Sequence, residues 1–179
     1  PLRDVIRAAE EASRNPSAAH VREAGTAETV ALARSFNTML DIRSGHEAQL
    51  DYQATHDSLT GLPNTSLLVL PLERALSEGR GVAVIALGID RFRNINDAVG
   101  HQAGDRLLRE VSDRLSSSLR HGDTLARFGS DQFVMLCPDV TTEQAVLIAE
   151  RTQATSETPF HGPLGEITIT VTAGIATGQ

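Results

Sequence analysis

The chain has 179 residues, 40% of them hydrophobic and 22% charged, which suits one ordinary globular domain with an accessory segment. A net charge of -7 and only 3% aromatic residues exclude a general nucleic-acid-binding role, because neither a basic tract nor a stacking platform is present. The single cysteine, Cys137, lies in the apolar run Phe133-Val134-Met135-Leu136-Cys137, as a buried thiol does, and one cysteine permits no internal disulfide, which fits a reducing cytosol.

Leu2, Val5, Ile6, Ala9 and Ala12 form a helical stripe that Asn15-Pro16-Ser17 ends. The stretch 18–26 is small and polar and reads as a connector. A second stripe follows at Val30, Leu32, Phe36, Met39 and Leu40. Two short amphipathic helices do not bury their faces alone, so a parallel bundle with a second copy of the chain is expected, with packing on the domain that follows as the alternative. Residues 41–56 are polar and carry Gly45, which costs a helix about 1 kcal/mol; a short or frayed linker helix is expected there. No segment has the apolar length needed to span a bilayer, and no signal peptide is recognisable. The chain opens on Pro1 rather than methionine and is expected to be a piece of something larger.

From Asp57 the pattern changes. Asp57 to Asn64 is rich in turn residues, and Asn64 suits the N-cap of a helix reaching about Leu76. Val82 to Leu87 is a continuous apolar run, as in a buried central strand. The periodicity predicts a short helix over 92–99 and a longer one over 104–119 with Leu107, Leu108, Val111, Leu115 and Leu119 on one face. A hairpin is predicted from strands at 124–128 and 132–137 around Gly129-Ser130, then a helix over 141–155. Ile167 to Thr172 alternates with period two and reads as one half-buried strand. Strands interleaved with helices give an α/β (α+β) sandwich, with a mostly antiparallel central sheet flanked by helices.

The first quarter of the chain resembles a HAMP domain: Pro1-Leu2, a glycine-bearing connector, Glu28, and Leu32-Ala33-Arg34-Ser35-Phe36-Asn37-Thr38-Met39-Leu40. The connector departs from that family, with Ala27-Glu28 where an acidic pair is common. The resemblance implies a HAMP-like domain over 1–44, a helical linker over 45–58, homodimerisation through the HAMP helices, and a place in the cytoplasmic portion of an inner-membrane protein.

Residues 59–179 resemble the GGDEF domain of diguanylate cyclases, lacking that domain's last helix and strand. Several motifs agree in order: Asp57 to Asn64, Ile95-Asn96-Asp97, Gly100-His101, Gly104-Asp105, Gly129 to Phe133, and Thr172-Ala173-Gly174-Ile175-Ala176. The family joins two GTP molecules into cyclic di-GMP across a dimer, each GTP held on divalent cations such as Mg2+. The resemblance makes Asn96 and Asp105 guanine-contacting residues and gives Arg93 a phosphate. By their own chemistry, Asn96 also suits a turn cap, Asp105 the cap of the long helix, and Arg93 a solvated surface. Arg120-His121-Gly122-Asp123 matches the family's Arg-x-x-Asp inhibitory site, where cyclic di-GMP binds; Arg120 also suits the end of the preceding helix.

The departures concern catalysis. The family's first metal-binding aspartate is Gly88 here, while Asp90 matches the second, non-ligating aspartate. Ser130 replaces a glycine, placing a Cβ in a turn where close phosphate approach and φ > 0 favour glycine. Gln132 replaces a glutamate, and Asp131 remains as the metal-binding carboxylate. Losing about 4 kcal/mol of metal-derived stabilisation slows a reaction roughly a thousandfold. The expectation is a degenerate GGDEF module that binds GTP or cyclic di-GMP with a weak or absent Mg2+ site. It would regulate a linked output domain such as a downstream EAL-like phosphodiesterase, with no nucleic acid polymer as partner. An active diguanylate cyclase is the alternative, and a dimerisation scaffold without nucleotide binding is a third.

Overall fold

The computed structural model describes residues 20–156, 158–162 and 165–178. The helix expected before Asn15 lies outside the described residues. The chain divides into two compact units, one up to Ala54 and one from Thr55 onward.

In the first unit, helix α1 (Ala27–Thr55) has 29 residues and carries the connector along its side. The Asn37 amide grips the backbone of Val21 from both sides: Val21 N donates to Asn37 Oδ1 at 2.8 Å and Asn37 Nδ2 donates to Val21 O at 3.0 Å. Val21 is thereby buried against Ala33 and Phe36. The short or frayed linker expected over 41–56 is not found, because α1 runs straight through Gly45. The Arg43–Glu47 ion pair, 2.8 Å long at i,i+4 spacing, spans the glycine and offsets part of its cost. Among the described residues no helix is long and apolar enough to cross a membrane.

The second unit is built on a four-stranded sheet, antiparallel at every pairing, in the order β2 (Thr124–Arg127), β3 (Gln132–Pro138), β1 (Val82–Ile89) and β6 (Val171–Gly178). Its elements are α2 (Ser66–Ser77), β1 (Val82–Ile89), α3 (Phe92–Val99), α4 (His101–Ser117), β2 (Thr124–Arg127), β3 (Gln132–Pro138), α5 (Thr142–Ser156), β4 (Phe160–Gly162), β5 (Gly165–Ile167) and β6 (Val171–Gly178). The apolar run of β1 is central because both its faces are used. Ala83, Ile85, Leu87 and Ile89 point to the core formed with Leu107, Leu108, Val111 and Leu115 of α4 and with Ala145 and Ala149 of α5. On the other face Val82 and Val84 pack with Leu68 and Ala75 of α2. That helix covers only half of the second face. Ala86 is exposed and Gly88 half-exposed beyond it.

Local chemistry explains the boundaries. Asn64 Oδ1 accepts from Ser66 N at 3.0 Å, one residue ahead of the position that caps α2. Thr141 and Gln144 form a reciprocal box at the start of α5, at 3.3 and 2.9 Å. Two expectations are corrected. The long helix begins at His101 rather than at 104, because Gly100 with φ +83° turns the chain directly from α3 into α4. Asp105 is therefore inside the helix and caps nothing. The single strand expected over 167–172 is divided between β5 and β6. The alternation is real, since Ile167, Ile169 and Val171 all meet the core. Between the strands, however, the chain bonds to Asp90 instead of continuing a ladder: Asp90 N donates to Thr170 O at 3.0 Å.

Candidate functional site

The hairpin turn between β2 and β3 is held from one side by Arg127. Its guanidinium donates to Gly129 O at 3.0 Å, to Ser130 O at 2.8 Å and to Asp57 Oδ1 at 2.8 Å. Asp57 also accepts from Thr60 N and Oγ1 at 2.9 and 2.7 Å. Burial alone would raise the Asp57 carboxyl; the bonds from Arg127 and Thr60 outweigh it and hold it below the usual carboxylate range. Arg127 thus joins the turn-rich opening to the hairpin across 70 residues of sequence, a link that no local periodicity announces.

From the other side the turn is tied to β1, where Ile89 N donates to Asp131 O at 3.0 Å. Ser130 lies outside the left-handed region, so the expected backbone strain there is absent. Its hydroxyl instead donates to Asp131 Oδ1 at 2.8 Å. Gly88 pairs with Gln132 on one side and Thr172 on the other, and a Cβ added to Gly88 would meet nothing within 4 Å. Gly88, Asp131 and Gln132 share a groove of about 610 Å³. Asp90 stands at the same groove but is engaged: it accepts from Thr170 Oγ1 at 2.6 Å and Thr172 Oγ1 at 2.8 Å, which lowers its pKa. Asp90 is a fastener between β1 and β6, a role that sequence reading did not assign.

Asn96 and Asp105 lie apart from that groove, at the packing of α3 on α4. Asn96 Oδ1 is buried and has no hydrogen-bond partner, so the turn-cap role is not seen. A Cβ on Gly104 would fall 1.8 Å from this oxygen, which explains the glycine inside α4. Asp105, half-buried, is the next residue along α4. Arg93 is exposed on α3.

Arg120 and Asp123 are together but closed on each other. Arg120 Nε donates to Asp123 Oδ1 at 3.0 Å, its main-chain N to Asp123 Oδ2 at 3.3 Å, and its Nη2 to Pro138 O. The Asp123 side chain is only 1% exposed. Arg120 fastens the loop after α4 to the end of β3 and does not serve the carbonyls of α4. Cys137 is fully buried beneath this pair. Burial first, and the Asp123 carboxylate second, push its thiol up to about 12. Native protein at pH 8 is expected to leave Cys137 unalkylated by iodoacetamide, with reaction appearing only on unfolding, as mass spectrometry would show.

Residues 54–179 match the diguanylate cyclase GGDEF domain family. The chain belongs to the GGDEF family. Diguanylate cyclase TpbB of Pseudomonas aeruginosa is 39% identical over 169 residues, covering 87% of this chain and 39% of TpbB. The bifunctional diguanylate cyclase/cyclic di-GMP phosphodiesterase MucR of the same organism is 39% identical over 127 residues, covering 69% of this chain and 18% of MucR. The chain therefore spans two-fifths or less of these relatives. Among solved structures, the GGDEF domain of P. aeruginosa TpbB is 37% identical with a TM-score of 0.64, covering 68% of this chain and 74% of that one. The coiled coil and GGDEF domain of Caulobacter crescentus DgcB, in complex with c-di-GMP, is 26% identical with a TM-score of 0.72, covering 86% and 84%. In this GGDEF domain the hairpin that names the family reads Gly129-Ser130-Asp131-Gln132-Phe133, and its place beside Gly88 follows from the β1–β3 register.

Proposed function

We propose that this GGDEF domain is a cyclic di-GMP signalling module that binds a guanine nucleotide without efficient turnover and passes its bound state to a linked output domain. The observation that carries the reading is Gly88. Gly88, which shares the groove with Asp131, offers no side-chain oxygen, although the space for a side chain is there. A hard cation such as Mg2+ needs several oxygen donors. Asp131 already accepts from Ser130, and Asp90 accepts from two threonines. Among the described residues no group of three or more His, Cys, Asp or Glu is placed to hold a metal. The residues present do not fit the family's cation pair.

Guanine recognition rests on Asn96 and Asp105. The Asn96 amide oxygen is buried against Gly104 without a partner, so base recognition requires this side chain to turn out of the packing of α3 on α4, leaving a position that costs about 1–3 kcal/mol as an unsatisfied acceptor. Arg93, one turn before Asn96 on α3, is the phosphate partner. Arg120 and Asp123 form the cyclic di-GMP site, which opens when their mutual bond is exchanged for bonds to the ligand. Upstream, the connector clasped by Asn37 and the unbroken α1 suit a HAMP-like dimer that relays a membrane signal, in the cytoplasmic portion of an inner-membrane protein. A downstream EAL-like domain is the proposed output partner.

Calorimetric titration tests this reading. GTP is expected to bind and to weaken at least tenfold in Asn96→Ala, while cyclic di-GMP binding falls in Arg120→Ala and not in Asn96→Ala. No heat with either ligand would reduce the domain to a scaffold. The competing reading, an active diguanylate cyclase, is favoured by the names of the relatives and the retention of Asp131. Turnover measurements separate the two.

A further inference from the structure

We propose that Arg109 is a positioning residue with two alternative partners, the Leu59 carbonyl and the Asp105 carboxylate, so that the entry turn over 57–62 governs whether Asp105 is free to read guanine. Arg109 stands one turn after Asp105 on α4, and residues four apart lie on the same side of a helix. The order is the favourable one, with the acid nearer the N-terminus. The same helix forms such a pair further along, where Arg114 Nη2 donates to Glu110 Oε1 at 2.7 Å. Asp105 and Arg109 do not pair. Among the described residues the Asp105 carboxylate has no hydrogen bond or ion pair. Arg109 Nε instead donates to Leu59 O at 3.1 Å, across 50 residues of sequence.

The entry turn is built to hold that carbonyl in place. Asp57 Oδ1 accepts from Thr60 N and Oγ1. Asp57 N donates to Leu62 O at 2.8 Å, and Gly61 N to Asp57 O at 2.8 Å. Leu59 and Leu62 pack against the core that holds Leu107 and Leu108 of α4. With the turn seated, its carbonyl keeps the guanidinium away, and the half-buried Asp105 keeps its oxygens for base N–H groups. With the turn lifted, the guanidinium loses its acceptor and swings to the carboxylate one turn back, which closes the guanine site. An exposed pair of this kind shifts an equilibrium by up to about fivefold, so the device grades affinity and does not abolish it. The turn opens two residues after α1 ends at Thr55. The switch rests on the guanine reading of Asn96 and Asp105 and gives that site a control from the segment joined to α1.

Calorimetric titration of GTP into the full-length protein is the test, comparing the parent with Asp57→Ala, Arg109→Gln and the double variant. Asp57→Ala undoes the turn while Arg127 keeps its bonds to the Gly129 and Ser130 carbonyls. It is expected to weaken GTP about fivefold. Arg109→Gln brings no charge to Asp105, and the double variant is expected to regain the parent's affinity. A turn that only shapes the fold predicts a double variant no tighter than Asp57→Ala, and that result overturns the switch. An Asp57→Ala protein that binds GTP like the parent overturns it as well. Where Asp57→Ala does not fold, Thr60→Val takes its place, since it removes one bond to Asp57 and the acceptor of Leu62 N. Asn96→Ala separates the two levels. If it weakens GTP tenfold while the double variant stays weak, the guanine reading stands and the switch alone falls. If it binds GTP like the parent, both fall.

Discussion

Restoring Gly88→Asp, Ser130→Gly and Gln132→Glu together is expected to raise cyclic di-GMP formation from GTP and Mg2+ about a thousandfold over the parent, read by chromatography of the products. The size follows from roughly 4 kcal/mol of cation-derived transition-state stabilisation. The structure says why the reversion is tolerated. The Gly88 Cβ direction is empty, so an aspartate enters without displacing a neighbour. Removing the Ser130 hydroxyl frees Asp131 Oδ1 from its 2.8 Å bond, and a glutamate at 132 stands beside residue 88 in the β1–β3 register. Gly88→Asp alone is expected to give a smaller gain, because Asp131 stays engaged. A triple variant that folds, binds GTP and makes no more product than the parent would show that these three positions are not what limits turnover.

Arg127→Ala is expected to cost about 3 kcal/mol of stability and to lower the Tm by about 10 °C in a domain of this size. The side chain is 10% exposed, and its loss leaves Asp57, 25% exposed, as an unpaired carboxylate. The Gly129 and Ser130 carbonyls lose their donors in the same substitution. The pH dependence has a defined sign. Asp57 is held below the ordinary aspartate range, so its contribution is complete above that range and is lost as the pH falls through the lower, folded-state pKa. Asp57→Asn is expected to flatten the acid limb of a stability–pH profile measured by urea denaturation. An Arg127→Ala protein melting like the parent would remove Arg127 as the brace of the hairpin.

Elements with a strong period were legible in the sequence. The central strand, α3 and the hairpin fall where their apolar runs place them, because burial on one or two faces writes its own spacing. The long helix was misplaced by three residues because Gly104 resembles a breaker; only the folded chain shows that it is a contact point for Asn96. The split between β5 and β6 was illegible for a related reason. Ile167, Ile169 and Val171 alternate as one strand would, and the interruption comes from Asp90, far away in sequence. Gly45 misled in the opposite direction, since a single glycine does not stop a helix that an ion pair spans.

The candidate site divides along the same line. The resemblance to the GGDEF family made Gly88, Asp131 and Gln132 readable as one constellation, and the fold brings them to one groove. What the sequence withheld were the bonds that commit side chains elsewhere: Ser130 on Asp131, the threonines on Asp90, and Arg120 on Asp123. Each depends on rotamers and on segments that only the fold makes neighbours. These commitments, more than residue identity alone, argue that the groove is poor in carboxylate oxygens free to hold a cation.

The most direct trial of that claim is a single-turnover experiment with radiolabelled GTP, Mg2+ and the full-length protein in excess, at concentrations that favour a dimer. The nucleotide is expected to be retained by the protein and recovered unchanged. Stoichiometric conversion to cyclic di-GMP, abolished by Asp131→Ala, would contradict the account.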